Sequence, residues 1–282
     1  MNSKSRDIIL AVLTLVAVIG VVPTKAVAKG ERQPPKKALI TQYYYETKKP
    51  IKAAITVSNP TANRAMDRWM TIPKGTIVLG QPVVVKNKQI KQITIKSTSL
   101  SYAVKKTALL PGYYFEQWQD LTGNVAYSHA RFKKVSKPTY TLPNSDGNLY
   151  LGSVPKAYPN TFLSDKVAIT ADGYVERYRY DPSNGPEGFS NRPIGMAKIT
   201  KSTVKGNVRY LYYRTHITGL NDQRVRRTGQ YRYRLKLADQ YIRTQRVWDG
   251  GKQAFVADIY YAQYRVGNQA YYTEVGEKAI DD

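Results

Sequence analysis

Few residues in this 282-residue chain have the types and spacing that enzyme catalysis requires. Cysteine is absent, which excludes a thiol nucleophile, a disulfide scaffold and cysteine-ligated metal sites. The two histidines, His129 and His216, are too few for a multi-histidine metal site, and neither lies beside a Gly-x-Ser-x-Gly nucleophile motif. We therefore expect neither a metal ion nor another cofactor, and we expect that the protein is not an enzyme.

One pair of carboxylates remains as a catalytic candidate. Glu116 and Asp120 lie four residues apart in the stretch YFEQWQD. On a strand such residues share a face but lie about 13 Å apart, whereas the two carboxylates of a retaining glycosidase are about 5 Å apart. A hydrolase that cleaves cell-wall glycans is therefore the weakest of the functions that we consider.

Basic residues dominate the side chains that could bind a ligand. The chain contains 44 Lys+Arg against 20 Asp+Glu, a formal net charge of +24. Residues 29–138 contain 20 basic residues, of which 16 are lysine, against five acidic ones. Lysine ammonium groups suit phosphate as point charges, so this region predicts association with a polyanion, and a merely solvated surface is the alternative. The candidate contacts are Lys36, Lys37, Lys48, Lys49, Lys52, Lys86, Lys88, Lys91, Lys105, Lys106, Lys133 and Lys134.

The rest of the chain interleaves tyrosine with arginine. Residues 139–282 contain 17 of the 24 tyrosines, and 13 of their 21 basic residues are arginine, against 14 acidic residues. Aromatic rings beside guanidinium groups can stack on sugar rings. The alternative is that most of these tyrosines are strand formers whose rings are buried in a core. The candidates for glycan stacking are Tyr178, Arg179, Tyr212, Tyr213, Arg214 and Arg232.

Residues 1–28 have the pattern of a secretory signal peptide. Lys4 and Arg6 precede the apolar run Ile8–Val22, and Ala26-Val27-Ala28 is a small-x-small cleavage site. The run is shorter than the roughly 20 residues that span a bilayer, and no second long apolar run follows. We expect an exported protein with no transmembrane segment in its mature chain, and an uncleaved N-terminal anchor is the alternative.

The elements that must carry the candidate side chains are β-strands. From Ala38 onward, Val, Ile, Thr and Tyr alternate with polar residues between turns rich in Gly, Asn and Asp. The clearest strand is Tyr231–Leu237, in which Tyr and Leu alternate with Arg and Lys. Hairpin turns are predicted at Ala171-Asp172-Gly173, at Asp249-Gly250-Gly251 and at 86–89.

A short pattern, Gly-Asn-x-x-Tyr, occurs three times, at Gly123–Tyr127, Gly206–Tyr210 and Gly267–Tyr271. The interpretation that we favour is turn chemistry followed by the first good strand residue. A repeated ligand-binding hairpin is the alternative. In either case the repeat supports tandem small β modules.

The composition changes near Lys137-Pro138, which predicts a boundary between two modules. Residues 29–38 are a Pro/Lys linker that we expect to stay extended. Residues 39–138 form a Lys-rich β module, called the first module below, and residues 139–282 form a Tyr/Arg-rich β module, the second module. The predicted fold class is all-β, with two tandem small antiparallel modules, each an SH3-like barrel or a small sandwich, after an N-terminal signal helix.

The stretch Trp69–Val78 (WMTIPKGTIV) resembles the Pro-x-Gly-Thr turn and following strand of bacterial SH3-like modules. The whole chain, with its export signal, high pI, Lys- and Tyr-rich strands and Gly-Asn turns, is similar to the secreted and S-layer-associated surface proteins of lactic-acid bacteria. This resemblance implies non-covalent association with the cell wall.

These features predict a secreted protein that is retained at the outer cell surface or wall by teichoic acid or another anionic wall polymer. The polar residues Glu277–Asp282 form no hydrophobic tail, so we expect the retention to be non-covalent. The first alternative is an adhesin whose second module binds host glycan or matrix, and the second is a wall hydrolase. We expect no specific nucleic-acid partner, although this charge would bind nucleic acid non-specifically.

Overall fold

A computed structural model describes residues 34–84, 89–116, 120–121, 125–154, 163–184, 187–249 and 254–280. Strands hold 55% of the residues and helical turns 6%, which confirms the all-β fold class. The predicted signal peptide and its helix lie outside the described residues. Within the described ranges, no helix is both long enough and apolar enough to cross a membrane.

The described residues of the first module form eight short strands and one four-residue helix. Their bounds are β1 (Tyr44–Thr47), β2 (Ile51–Asn59), β3 (Arg64–Ile72), β4 (Ile77–Val84), β5 (Ile90–Ile95), α1 (Tyr102–Lys105), β6 (Tyr114–Phe115), β7 (Val125–Ala126) and β8 (Phe132–Val135). Five strands form one antiparallel sheet in the order β7-β5-β4-β1-β8, and three form a second in the order β3-β2-β6. The helix is followed by a 3₁₀ turn at Lys106–Ala108.

Both sheets of the first module pack against one apolar core. Ile51, Ile55 and Ile72 from the three-stranded sheet are fully buried in the same cluster as Ile93 and Phe132 from the five-stranded sheet. Alternation along each strand sends these residues inward and their polar neighbours outward. Two sheets over a shared core are the arrangement of a small sandwich, one of the two architectures that the sequence predicts.

Nine strands are formed by the part of the second module that the structure describes. Their bounds are β9 (Asn148–Leu151), β10 (Lys166–Ile169), β11 (Tyr174–Tyr178), β12 (Gly195–Lys205), β13 (Val208–Tyr213), β14 (Gln223–Arg224), β15 (Tyr233–Asp249), β16 (Ala254–Val266) and β17 (Gln269–Ala279). They form one antiparallel sheet in the order β13-β12-β11-β10-β9-β17-β16-β15-β14. The predicted boundary near residue 138 stays a prediction, but no strand of this sheet comes from the first module.

The nine-stranded sheet closes on itself, because β13 also pairs with β15. Eight strands therefore form a closed cylinder, and β14 is attached beside it. Eight strands enclose a space that side chains can fill, and Leu211, Leu235, Leu237 and Tyr264 are among the buried residues that fill it. The inward placement of Leu235 and Leu237 confirms that part of the alternation predicted from Tyr231 to Leu237.

The strand pairings confirm the predicted hairpins. Strand β10 pairs with β11 around Ala171-Asp172-Gly173, and β15 pairs with β16 up to Asp249 and Ala254. Strand β4 pairs with β5 as predicted, although residues 85–88 of that turn and residues 250–253 of the β15–β16 turn lie outside the described residues.

Two of the Gly-Asn repeats are hairpin turns of two residues. Gly206 and Gly267 occupy the first central position of the β12–β13 and β16–β17 turns, with φ of 57° and 58°. Type II′ hairpin turns require positive φ at this position, which glycine adopts without steric cost. The geometry supports the interpretation of the repeat as turn chemistry.

The segment before β1 belongs structurally to the second module. Lys36–Ala38 form a 3₁₀ turn, so the prediction of an extended linker is wrong at these residues. Ala38 is buried in the core of the closed sheet, and the Ile40 N–H donates to the Val275 carbonyl oxygen over 2.8 Å. Glycine is needed at Gly276, because a Cβ atom there would collide with the Ala38 carbonyl oxygen.

Candidate functional site

A tight turn between β3 and β4 brings two lysine-containing loops together. In this turn, Pro73–Thr76, Gly75 has a φ of 79°, which favours glycine. The Gly75 N–H donates to the Thr47 carbonyl oxygen over 2.7 Å, and the Thr47 hydroxyl donates to the Pro73 carbonyl oxygen over 2.6 Å. The turn is therefore fixed against the end of β1, where the lysine-rich β1–β2 turn begins.

Four exposed lysines lie in or beside these two turns, and we call them the lysine edge: Lys48, Lys49, Lys52 and Lys74. Lys48 is anchored, since its N–H donates to the Arg131 carbonyl oxygen over 2.8 Å and its Nζ donates to the His129 carbonyl oxygen over 2.7 Å. The other three have no hydrogen bond or ion pair within the described part of the chain. Their ammonium groups face solvent and are free to meet an anion.

Trp69 lies on the outer face of the three-stranded sheet, beside the lysine edge. Its side chain is 70% exposed, and the strand register places it opposite Ala54 while Thr71 lies opposite Lys52. Residues paired across antiparallel strands share a face, so Lys52 is a diagonal neighbour of Trp69. A groove of about 640 Å³ runs past them, and we call it the Trp69 groove; it is lined by Lys52, Trp69, Met70, Thr71 and Thr107.

The Trp69 groove combines two kinds of contact. An exposed indole carries a large apolar surface whose burial by a ligand is favourable, at about 25 cal/mol per Å². The Lys52 ammonium supplies a positive charge at the same place. The groove can therefore hold a polymer that presents both sugar or alditol units and anionic groups. The sequence pattern contained this signal, because Trp69 is an aromatic residue on the polar side of an alternating strand.

The other predicted lysines of the first module are scattered over its surface. Lys106 is exposed next to Thr107 of the groove, and Lys91 is exposed on β5. Lys133 lies opposite Glu46 in the sheet, and the Lys134 Nζ lies 5.4 Å from the ring centroid of Tyr43. The structure thus groups Lys48, Lys49, Lys52 and Lys106 near Trp69 or the turn, and leaves the others apart.

Four predicted lysine contacts fall elsewhere and a fifth is wrong. Lys36 and Lys37 are exposed in the 3₁₀ turn that packs on the second module, and Lys86 and Lys88 lie outside the described residues. Lys105 is not a free surface contact, because its Nζ lies 5.4 Å from the Phe115 ring centroid within the interface between the modules. Burial lowers the pKa of Lys105, although the nearby Glu176 and Asp172 carboxylates oppose this shift.

A buried polar cluster joins the two modules at this interface. The Glu176 carboxylate accepts hydrogen bonds from the Tyr102 N–H and the Tyr178 hydroxyl, both over 2.7 Å. The Asp172 carboxylate accepts a bond from the Ser101 N–H over 3.0 Å. Burial raises the pKa of Glu176, while Lys105 and these hydrogen bonds lower it. The cluster is structural, because it satisfies backbone groups at the start of α1.

Lys166 is a further buried cation beside this cluster. Its Nζ lies 5.0 Å from the Tyr178 ring centroid and 4.4 Å from that of Phe189. Burial lowers its pKa to about 8, with the Lys105 charge as a second cause. Sequence reasoning missed Lys166 and Glu176, because alternation along a strand does not show that another module covers one face.

The predicted glycan-stacking residues divide between core and surface. Tyr178 and Tyr213 are buried, at 6% and 0% exposure, so neither ring can stack on a glycan and both predictions are wrong. Arg179 and Arg214 are exposed, and Tyr212 and Arg232 are partly buried. The burial of some of these tyrosines agrees with the alternative interpretation, in which they are strand residues of the core.

The catalytic candidates His216 and Asp120 each pair with a charged side chain. The His216 Nδ1 lies 2.6 Å from Asp222 Oδ1, and Asp222 Oδ2 also accepts a bond from the Tyr213 hydroxyl over 2.7 Å. This arrangement orients the imidazole, but no nucleophile is paired with it within the described residues. Asp120 forms an ion pair with Lys96 at 3.0 Å. Over the same residues, no group of three or more His, Cys, Asp or Glu is placed to hold a metal ion.

No family model, curated protein or solved structure matches this chain. Its function therefore has to be inferred from the geometry of its own residues. The Trp69 groove with the lysine edge is the candidate that combines exposure, charge and an apolar contact surface in one place.

Proposed function

We propose that this is an exported protein that is held non-covalently at the outer cell surface by anionic wall polymers, of which teichoic acid is the example, and that its first module makes the contact. The observation that carries the proposal is the exposed Trp69 in a groove beside Lys52 and the lysine edge. The role is binding or structural. The predicted signal peptide and the resemblance to wall-binding modules support export and the wall as the location.

The charge of the first module suits such a polymer. Residues 29–138 carry 20 basic and five acidic residues, a net charge of +15. Phosphates along a polymer would meet the lysine ammonium groups, while polyol or sugar units would lie against the indole of Trp69. Because exposed charges are screened within about 8 Å at physiological ionic strength, the interaction should weaken steeply as salt is added.

The experiment measures retention of the full chain on purified cell walls, with and without chemical removal of teichoic acid. We expect that the native protein elutes with salt and that stripped walls retain little of it. Trp69→Ala and Lys52→Gln should each lower the salt concentration needed for elution. Lys133→Gln is the matched control, because Lys133 is an exposed lysine of the same module that lies opposite Glu46 and does not line the groove.

Two results would contradict the proposal. Retention that is unchanged by salt and by stripping would exclude an anionic wall polymer as the ligand. Equal losses for Lys52→Gln and Lys133→Gln would show that overall charge, and not the groove, determines binding. Since Trp69 and both lysines are exposed, urea unfolding should show that all three variants fold like the native chain.

A further inference from the structure

The positive charge of the second module is concentrated in one part of its sequence. Residues 201–236 contain ten Lys+Arg and a single acidic residue, Asp222. The Asp222 side chain is fully buried, and it bonds to His216, Tyr213 and the Ile217 N–H. It is therefore not among the surface groups that a ligand would meet. The segment carries +9, more than the +7 of residues 139–282 as a whole.

The strand register gathers part of this charge on the outer surface of the closed sheet. Lys201 of β12, Tyr212 of β13 and Arg234 of β15 form one cross-strand row, and Tyr210 and Lys236 form the adjacent row. We call these five residues the outer array. Leu211 and Leu235, which lie between the two rows along their strands, are fully buried inside the cylinder.

A β-bulge makes this arrangement possible. The register of β12 shifts between Ile199 and Lys201, so Thr200 is an extra residue in the strand. Ile199 is buried in the cylinder, and without the shift Lys201, two residues later, would share its face. The Thr200 hydroxyl lies 2.9 Å from the Gln230 carbonyl oxygen, which fixes the neighbouring loop at the bulge.

Two of the three cations of the outer array are held against tyrosine rings. The Arg234 Cζ lies 5.0 Å from the ring centroid of Tyr210, and the Lys201 Nζ lies 5.7 Å from those of Tyr212 and Tyr231. Such contacts are favourable by about 0.5–1 kcal/mol at exposed sites and restrict the motion of the charged groups. The array therefore presents charges in defined positions, with no acidic side chain in either row.

The spacing of these charges suits a linear ligand. Lys201 and Arg234 lie two strands apart, about 10 Å, and Arg234 and Lys236 lie two residues apart on one strand, about 7 Å. A single small anion could not bridge these distances. A polymer that crosses the strands and carries an anionic group on successive units could contact all three cations.

We propose that the outer array binds an acidic polysaccharide, that is, a chain of sugar rings bearing sulfate or carboxylate groups. This site is on the second module and is independent of the proposed wall contact of the first. Single-stranded nucleic acid is less suitable, because it binds through bases stacked on open aromatic faces. Here the faces of Tyr210 and Tyr212 already pack against cations, so charge and hydroxyl groups remain for the ligand.

The experiment compares the full chain with two triple variants of equal charge. The array variant is Lys201→Gln, Arg234→Gln and Lys236→Gln. The control variant is Arg179→Gln, Arg192→Gln and Lys278→Gln, which removes three exposed cations of the same module outside the array. The probes are heparin for sulfate, polygalacturonate for carboxylate, dextran as an uncharged polysaccharide, and oligothymidylate. Dissociation constants are measured at one fixed salt concentration.

We expect that heparin or polygalacturonate binds and that the array variant weakens this binding by about tenfold or more, as for the loss of several polyelectrolyte contacts. The control variant should change it by less than about threefold, and dextran should not bind. The two acidic probes decide between sulfate and carboxylate. A first-module variant, Trp69→Ala with Lys52→Gln, should leave this binding unchanged, which separates this site from the proposed wall contact.

Three results would overturn the proposal. The first is that neither acidic polysaccharide binds the native chain. The second is that the array and control variants lose equal affinity. The third is that oligothymidylate binds more tightly than both polysaccharides through the same residues. The last result would reassign the array to nucleic acid. An unchanged urea unfolding midpoint for the array variant excludes misfolding as the cause of any loss.

Discussion

Two cross-strand rows on the outer surface of the closed sheet have similar composition and opposite environments. Tyr150, Lys166 and Tyr178 form a row across β9, β10 and β11, and all three are buried. Lys201, Tyr212 and Arg234 form a row across β12, β13 and β15, and these residues are exposed or partly buried. Each row places tyrosine beside a cation, so composition does not separate them.

The difference lies in what covers each row. The first module contributes Tyr102 and Lys105 to the neighbourhood of the buried row, and the residues around Phe189 pack on Lys166. The buried Lys166 is compensated by carboxylates, among them Glu176. The exposed row has solvent in place of such a cover. Alternation along a strand determines which side of the sheet a residue faces, whereas contacts from distant parts of the chain determine whether that side is shielded from solvent.

The largest expected effect comes from removing the buried carboxylate. Glu176→Gln keeps the shape of the side chain but leaves Lys166 and Lys105 with less opposing charge in a buried environment. The amide keeps only one acceptor oxygen, so one of the bonds from the Tyr102 N–H and the Tyr178 hydroxyl is lost in a buried site; this costs up to about 3 kcal/mol, and urea unfolding should show a loss of this size. Glu277→Gln, at an exposed glutamate of β17, is the control and should change stability by less than about 0.5 kcal/mol. A loss below about 1 kcal/mol for Glu176→Gln would remove the electrostatic distinction between the rows.

A pH series should reveal the buried row by itself. The pKa of Lys166 is lowered from 10.5 to about 8, so between these values the unfolded chain binds more protons than the folded one. Stability should therefore rise as the pH increases from 8 toward 10, by at most about 3 kcal/mol. Above pH 10 the buried tyrosines, whose pKa values are raised, act in the opposite direction.

The variant Lys166→Met provides the check on this pH dependence. In urea unfolding experiments on this variant, the free energy of unfolding should rise less between pH 8 and 10. The part of the rise that remains comes from Lys105, whose pKa is also lowered. Lys201→Met, at the matching position of the exposed row, should leave the rise unchanged. If the free energy of unfolding rises equally steeply with pH in both variants, the rise does not come from Lys166.

The smallest effects are expected in the exposed row. Arg234→Ala removes the contact with Tyr210 and a hydrogen bond of 2.5 Å from Arg234 Nη2 to Gln223 Oε1. The expected cost is about 0.5–1 kcal/mol by urea unfolding, since both partners are accessible to water. Lys236→Ala should cost less than about 0.5 kcal/mol. A loss above about 2 kcal/mol for Arg234→Ala would mean that the array maintains the fold instead of serving a ligand.

Local patterns in the sequence predicted the local structure correctly. The all-β class, the hairpins at Ala171-Asp172-Gly173 and after Asp249, and the inward Leu235 and Leu237 all follow from alternation and turn chemistry. These features depend on residues within one hairpin. Such neighbours determine register and facing without reference to the rest of the chain.

Features that depend on distant residues were missed or predicted wrongly. Lys105 was predicted as a surface contact, but Glu176, 74 positions after Tyr102, approaches the same helix. Tyr178 and Tyr213 have strand neighbours like those of exposed tyrosines, and only tertiary packing buries them. The outer array also depends on the register shift beside Thr200, which no turn residue in the sequence indicates.

Closure of the sheet affects the order in which the parts of the second module fold. Strand β17 pairs with β9, and this contact joins Tyr272 to Tyr150 across most of the second module. Contacts between such distant residues carry a large loop-closure cost and form slowly. Until β17 is in place, the row that contains Lys166 belongs to an open sheet. We therefore expect closure of the cylinder to be a late step in folding, and the row that contains Lys166 can be fully covered only after it.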